Sequence, residues 1–281
     1  MTERHVLVTG CSSGIGRALA RGLKARGYAV WASARKPADV AALAAEGLNA
    51  LPLDLASSES IGAAVETVLA ATGGRLYGLI NNGAYGLPGA VEDLSRAALR
   101  AQFETNVFGT HELTARLLPV FRAQDQGRIV QISSVLGLVC LAYRGAYNAS
   151  KFALEALTDT LRLELGRTGI RIALIEPGPI ATRFRDNAYA AYRHWIDPSG
   201  SAHRDNYAHM ERRLQGSSGR VPFTLPAEAV LAPAIHALES PRPRARYAVT
   251  APTRFFALAR RLLPTPLLDR LLWATSGAGR R

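Results

Sequence analysis

Short apolar runs alternate along this chain with longer stretches in which apolar residues recur every three or four positions. The runs at residues 5–9, 29–33, 49–53, 76–81, 128–133, 170–176 and 246–250 have the length and branched-aliphatic content of strands. Between them the periodicity is helical. After the first run, Ile15, Ala18, Leu19, Gly22, Leu23 and Arg26 recur at helical spacing, and Gly27 supplies the stop. Repeated strand–helix alternation predicts a parallel sheet, because right-handed crossovers must return each helix over the sheet. The expected fold class is α/β, a Rossmann-like doubly wound parallel sheet with helices on both faces. In such sheets ligands bind beyond the carboxyl ends of the strands.

Two later stretches depart from this rhythm. Residues 183–225 carry Phe184, Tyr189, Tyr192, Trp195, Tyr207 and Phe223 without a strand. From residue 251 onward Phe255, Phe256, Ala259, Leu262, Leu263, Leu267, Leu268, Leu271 and Leu272 alternate with Arg254, Arg260, Arg261 and Arg270. Pro264 and Pro266 divide this tail into two short helices, each too short to span a bilayer. A basic amphipathic tail can make peripheral contact with an anionic membrane surface. Packing against the pocket mouth or a neighbouring subunit is the default. The organisation expected is a catalytic domain over residues 1–250, with a lid at about 183–225 and a helical extension of the same domain at 251–281.

Composition narrows the class of function. A chain of 281 residues suffices for one full α/β core. The start of the chain lacks the features of an export signal, and Cys11 and Cys140 alone provide neither a disulfide framework nor a metal site, so a cytoplasmic protein without metal is expected. The net charge of +12 invites a nucleic-acid reading. Only three of the basic residues are lysines, Lys24, Lys36 and Lys151, and the arginines are scattered without a nucleic-acid-binding motif, so no such partner is expected.

The first strand ends in Thr9-Gly10-Cys11-Ser12-Ser13-Gly14-Ile15-Gly16 and opens directly into a helix. Glycines there permit a tight turn and close backbone approach, and a helix N-terminus offers free N–H groups to a pyrophosphate. Just past the second strand, where an NAD site carries an acid for the ribose hydroxyls, stand Ala34 and Arg35. Arg35, with Lys36 or Arg17, can meet a 2′-phosphate instead, which points to NADP(H). Asp54 ends the third strand, where it can accept from an adenine amino group or cap the next helix. Tyr147 and Lys151 lie one turn apart on a helix whose apolar stripe reads Ala149, Phe152, Ala153, Ala156, Thr160 and Leu161. A lysine ammonium there favours the phenolate, lowering the tyrosine pKa for proton exchange with an alcohol. Ser134 follows the strand at 128–133, at the same rim as the glycine loop, where its hydroxyl can hold a substrate oxygen. Asn106 falls within a helical stretch at 94–118, with an amide suited to bond backbone or water.

Together these residues resemble the short-chain dehydrogenase/reductase superfamily in its compact single-domain branch, over about residues 5–250. Residues 9–16 match the TGxxxGxG signature, Tyr147 and Lys151 match YxxxK, and Ser134 stands thirteen positions before the tyrosine. The resemblance implies a catalytic tetrad of Asn106, Ser134, Tyr147 and Lys151. It implies that Lys151 also binds the nicotinamide ribose and that Asn106 supports a water in the proton relay. Residues 176–182 resemble the PGxxxT segment, which implies cofactor contacts from Pro177, Gly178, Ile180 and Thr182, with Ile180 bonding the carboxamide through its backbone. One departure is local: the usual NNAG reads Asn81-Asn82-Gly83-Ala84, which moves the permissive backbone position by one and alters the expected setting of Asn81 at the adenosine ribose.

The cofactor residues so assigned are Gly10, Ser12, Ser13, Gly14, Ile15, Gly16, Arg35, Asp54, Asn81, Tyr147, Lys151 and the 177–182 segment. Leu136, Val139, Tyr143 and Phe184 are placed at the substrate. Their aromatic and aliphatic character suits an apolar small molecule such as a retinoid, steroid, long-chain aldehyde or aromatic ketone, although the lid aromatics equally suit packing. The function expected is hydride transfer between NADP(H) and an alcohol or carbonyl. The alternative is a non-catalytic NADP(H)-sensing or partner-binding protein on the same fold. A homodimer or homotetramer is implied by the family's use of the helices around Asn106 and Tyr147.

Overall fold

The computed structural model describes residues 3–215 and 221–276. Seven strands fall where the periodicity placed them: β1 His5–Val8, β2 Ala29–Ala34, β3 Asn49–Pro52, β4 Gly78–Asn81, β5 Gly127–Ile132, β6 Ile170–Glu176 and β7 Arg246–Ala248. All pair in parallel, in the order β3-β2-β1-β4-β5-β6-β7. The order reverses between β1 and β4, so a crevice opens there at the carboxyl ends of the strands.

Both faces of the sheet are buried, and alternation along each strand sorts its side chains between two cores. Val6, Val8, Val30 and Val130 pack on one face against Leu19 and Leu23 of α1 (Gly14–Ala25) and Ala234 and Leu238 of α9 (Leu231–Glu239). Leu7, Leu79, Ile129 and Ile172 pack on the other against Ile61 and Val68 of α3 (Ser58–Ala71) and Leu117 and Phe121 of α5 (Thr110–Ala123). The short α2 (Pro37–Ala45) adds Leu43 to the first core.

Two helical expectations change. The stretch at 94–118 is not one helix: α4 (Arg96–Phe103) passes into α5 through a wider π-helical turn at Glu104–Gly109, which holds Asn106. The second change concerns α6 (Gly145–Glu164). Its buried face carries Tyr147, Ser150, Lys151, Leu154, Glu155 and Thr158, not the expected apolar stripe. Ala149, Ala156 and Thr160 are exposed, and Leu157 beside them is 42% exposed. The inward face is polar because it borders the strand ends, where its groups find partners inside the protein. Lys151 Nζ donates to Ile132 O at 2.8 Å and Thr158 Oγ1 to Leu154 O at 2.6 Å.

The lid forms α7 (Phe184–Trp195) and α8 (Arg204–Leu214). Most of its aromatics hold it down. Tyr192 and Tyr207 are each 1% exposed with rings 5.6 Å apart, and Tyr207 Oη accepts from Ala90 N at 2.9 Å while donating to Asp93. The tail forms α10 (Ala251–Leu262) and α11 (Thr265–Ser276), parted at Pro264. Phe256 and Leu272 bury against Val139. Arg260 Nη1 donates to Leu138 O at 2.6 Å, and Ser276 Oγ accepts from Ala142 N at 3.0 Å. The tail therefore seats on the segment that leads from β5 into α6. No helix among the described residues is long and apolar enough to cross a membrane.

Candidate active site

The site is built at the reversal point, beginning with the loop from β1 to α1. Gly10 sits at φ +70°, and a side chain on it would come within 2.7 Å of the Gly83 Cα. A side chain on Gly16 would lie 2.3 Å from the Gly10 carbonyl oxygen, so the first turn of α1 rests directly on the loop. Ser13 stands at the N-cap without a side-chain bond to the helix, leaving the first-turn amides without a capping side chain. These amides, the positive end of the helix dipole and the close packing beneath them fit a dinucleotide pyrophosphate.

The departure at residues 81–84 has a clear geometric outcome. Asn82, not Asn81, braces the loop: its Nδ2 donates to Thr9 O at 2.8 Å and to Gly10 O at 3.1 Å. Thr9 Oγ1 accepts from the backbone N–H groups of Asn82 and Gly83 at 2.9 and 2.8 Å. Gly83 has no positive φ; a side chain on it would come within 2.9 Å of Leu55 Cδ1 and 3.3 Å of Thr9 Oγ1, so its bareness makes room for these two residues. Asn81 donates to Thr114 Oγ1 at 2.8 Å, and its buried Oδ1 has no protein partner, an acceptor still available at the end of β4. Neither Thr9 nor Asn82 stood among the expected site residues, since brace contacts between separate strands leave no periodic signal.

Arg35 follows β2 directly, is exposed and makes no ion pair or hydrogen bond among the described residues. Arg17 is not free to assist it, because its guanidinium is committed to Glu46. Asp54 does not cap α3. Ser57 does, accepting from Ser60 N at 3.2 Å, while Asp54 Oδ1 closes a tight turn onto Ala56 N at 3.0 Å.

At the end of β5, Ser134 Oγ accepts from Leu136 N at 3.1 Å and is near enough to the Tyr147 hydroxyl to favour its phenolate. Lys151 Nζ lies 5.8 Å from the Tyr147 ring centroid. The expected lowering of the tyrosine pKa is reversed: burial pushes Tyr147 up to about 12, with the nearby Ser134 hydroxyl pulling against it. Burial also brings Lys151 down to about 8, opposed by the Glu155 carboxylate. Desolvation therefore outweighs the attraction between ammonium and phenolate, and the tyrosine rests as a phenol.

Asn106 is 1% exposed and bonds the backbone of Tyr85 twice, Oδ1 accepting from N at 3.2 Å and Nδ2 donating to O at 2.9 Å. The same Nδ2 donates to Ser150 Oγ at 3.1 Å, and Ser150 donates in turn to Tyr147 O at 2.8 Å. The π-helical turn is thus tied to the first turn of α6, which carries Tyr147, through Ser150, a buried residue with no signal in the sequence pattern.

The 177–182 segment closes the crevice. Pro177 O accepts from Val135 N at 2.8 Å, Gly178 lies against Thr250, and Thr182 packs its methyl on Gly14. Ile180 bridges to Leu225, and Ala181 N donates to Leu225 O at 2.9 Å. Phe184, next to Thr182, sets its ring edge-on to Tyr147 at 5.3 Å between centroids. Leu136 and Val139 are buried, Val139 beneath Phe256 and Leu272 of the tail. Tyr143 is drawn into the lid, its hydroxyl 3.1 Å from His203 Nδ1. Of the aromatics in residues 183–225 only Phe184 meets the Tyr147 ring. Phe223 is 69% exposed.

Comparison with known proteins agrees with this geometry. The short chain dehydrogenase family matches residues 4–193. An uncharacterised oxidoreductase of Escherichia coli, YbbO, is 42% identical over 96% of this chain and 94% of its own length. An NADPH-dependent 3-dehydrocapnine reductase of Ornithobacterium rhinotracheale is 33% identical over 96% of each chain. Retinol dehydrogenase 7 of Rattus norvegicus is 33% identical over 97% of this chain and 89% of its own.

Proposed function

The chain belongs to the short chain dehydrogenase family, and we propose that it transfers hydride between NADP(H) and the alcohol or carbonyl group of an apolar substrate of retinoid, steroid, aldehyde or ketone type, working best toward reduction. The observation that carries this reading is the convergence of Ser134, Tyr147 and Lys151 at the end of β5, on the rim that bears the open amides of α1.

The residues that would hold the dinucleotide are Gly10, Ser12, Ser13, Gly14, Ile15 and Gly16 at the pyrophosphate, Arg35 at the 2′-phosphate, Asp54 and Asn81 at the adenosine, and Pro177, Gly178, Ile180 and Thr182 at the nicotinamide end. When bound, the cofactor supplies or accepts the hydride. The chain supplies the proton. With its pKa raised to about 12, Tyr147 is a phenol at neutral pH, the form that donates to a carbonyl oxygen as it gains negative charge. Ser134 orients that oxygen, and Lys151 stabilises the charge left on Tyr147. The unpaired Arg35, the lack of an acid after β2 and the NADPH-dependent relative favour NADP(H). Phe184 beside Tyr147, together with the retinol dehydrogenase relative, favours an apolar substrate, with Leu136 and Val139 as further apolar residues of the segment after β5. A sensor without catalysis has no use for a serine and a buried tyrosine set together beside a buried lysine. The exposed outward face of α6, with Ala149, Ala156 and Leu157, supports self-association as a dimer or tetramer.

The test is NADPH oxidation over a panel of retinal, steroid ketones, long-chain aldehydes and aromatic ketones, with NADH in parallel. Turnover of at least one apolar carbonyl, with NADPH preferred, is expected. Tight NADPH binding with no turnover across the panel would overturn the catalytic reading.

A further inference from the structure

Behind Lys151 lies an ionic cluster that the proton transfer itself does not touch. Glu155, one turn further along α6, is 6% exposed, and Glu176, the last residue of β6, is 2% exposed. Both are ion-paired to Arg246, the first residue of β7: its Nη1 bonds Glu155 and, at 2.6 Å, Glu176 Oε1. Its Nη2 bonds Asp159, one further turn along α6. One guanidinium thus gathers carboxylates from two elements, and each element leads into the site.

On one side, α6 carries Tyr147 and Lys151. On the other, Glu176 opens the segment that reaches Thr182, and the next residue, Pro177, binds the backbone of Val135 beside Ser134. The groups that face Glu155 are Lys151 and Asp159 on its own helix, Glu176 on β6, Arg246 on β7 and Ser133 at the end of β5; Arg261 of α10 faces Glu176. A carboxylate this deep stays ionised only with a partner, and breaking a buried pair leaves the remaining charge uncompensated. Burial pushes Glu155 and Glu176 upward, and Arg246 pulls both back.

We propose that Glu155, held as a carboxylate by Arg246, is a positioning residue for the reaction: it keeps the buried Lys151 in its ammonium form beside Tyr147 and, through the shared guanidinium, registers α6 against the 176–182 segment. This rests on Lys151 acting beside Tyr147. The carboxylate offers Lys151 a buried opposite charge one turn along the helix, acting through space without a direct ion pair, whereas the group that Lys151 does hydrogen-bond, the Ile132 carbonyl, is neutral.

The experiment exploits the presence of only three lysines, Lys24, Lys36 and Lys151. In protein carrying 13Cε-labelled lysine, the buried Lys151 resonance is assigned by its loss in Lys151→Met and followed against pH by NMR without substrate. In the wild type it should titrate near 8. In Glu155→Gln the midpoint should fall by about one pH unit or more, the size of effect a nearby buried charge exerts. The alkaline limb of kcat should move acidward with it, while Glu155→Asp restores most of the shift. Arg246→Lys, which keeps a cation, should give an intermediate shift and a raised KM for NADPH. A Lys151 midpoint unchanged in folded Glu155→Gln overturns the proposal. Should Glu155→Gln not fold, an unchanged midpoint in folded Arg246→Lys does the same. The NMR titration needs no turnover, so a failure of the catalytic reading appears separately, as an expected midpoint shift in a protein that reduces nothing.

Discussion

Replacing Arg35 by aspartate isolates the cofactor preference from every other property of the protein. The side chain is exposed at the end of β2 and has no ion pair or hydrogen bond among the described residues, so its loss breaks neither there and removes only an electrostatic influence on Tyr85. Surface changes of this kind alter stability by about 0.5 kcal/mol or less. Its worth should appear only when a 2′-phosphate is bound. A hydrogen bond to a charged group contributes about 1.5–3 kcal/mol, and at an exposed, solvent-screened site the lower end applies. Losing about 1.5 kcal/mol costs about tenfold in NADPH affinity. Aspartate adds a repulsion of similar size against the phosphate, and it supplies the ribose acceptor typical of NAD sites, so a swing of about 100-fold in relative preference is expected. The assay is kcat/KM for NADPH and NADH with one fixed carbonyl substrate, repeated at two salt concentrations because screening should shrink the effect. A change in the NADPH/NADH ratio of less than about threefold, from a variant whose Tm matches the wild type, would refute the placement of the 2′-phosphate at Arg35.

Other outcomes follow from the same geometry. Tyr147→Phe should lower kcat by about 10²–10⁴-fold, the usual loss with a general acid, yet leave NADPH binding by fluorescence titration nearly unchanged; full turnover would remove Tyr147 from its role. Leu157→Arg puts a charge on the exposed face of α6, where Leu157 is 42% exposed. It should reduce the mass found by light scattering to that of a smaller assembly without lowering Tm of the separated chain. Identical masses for variant and wild type would place any contact between copies elsewhere.

What the sequence decides by itself is whatever repeats along it or clusters within a few residues. All seven strands were legible from apolar runs, because a parallel sheet covered on both faces demands them. The glycine loop, the Tyr147–Lys151 spacing and Ser134 were legible because each lies at the junction of a strand and a helix. Arg35 was legible as the missing acid after β2. The apolar stripe assigned to α6 misled for a physical reason: periodicity reports where apolar residues lie, whereas the inward face of this helix is polar, and its charged groups, Lys151 and Glu155, are satisfied by partners outside the helix, Ile132 O and Arg246.

Only the tertiary structure could supply those partners. Arg246 meets Glu155 across 91 residues of chain, and Asn106 meets Ser150 across 44. Asn82 braces the glycine loop from β4, and the tail settles on the segment before α6. The protonation of the pair in the opening helix turn belongs to the same class. Spacing alone predicted a tyrosine made more acidic by its lysine, but burial of both moved them the other way, to about 12 for Tyr147 and about 8 for Lys151. Spacing along a helix fixes which charges can meet. Their strength depends on how much water the rest of the fold removes, and that is set by chain segments far away in sequence.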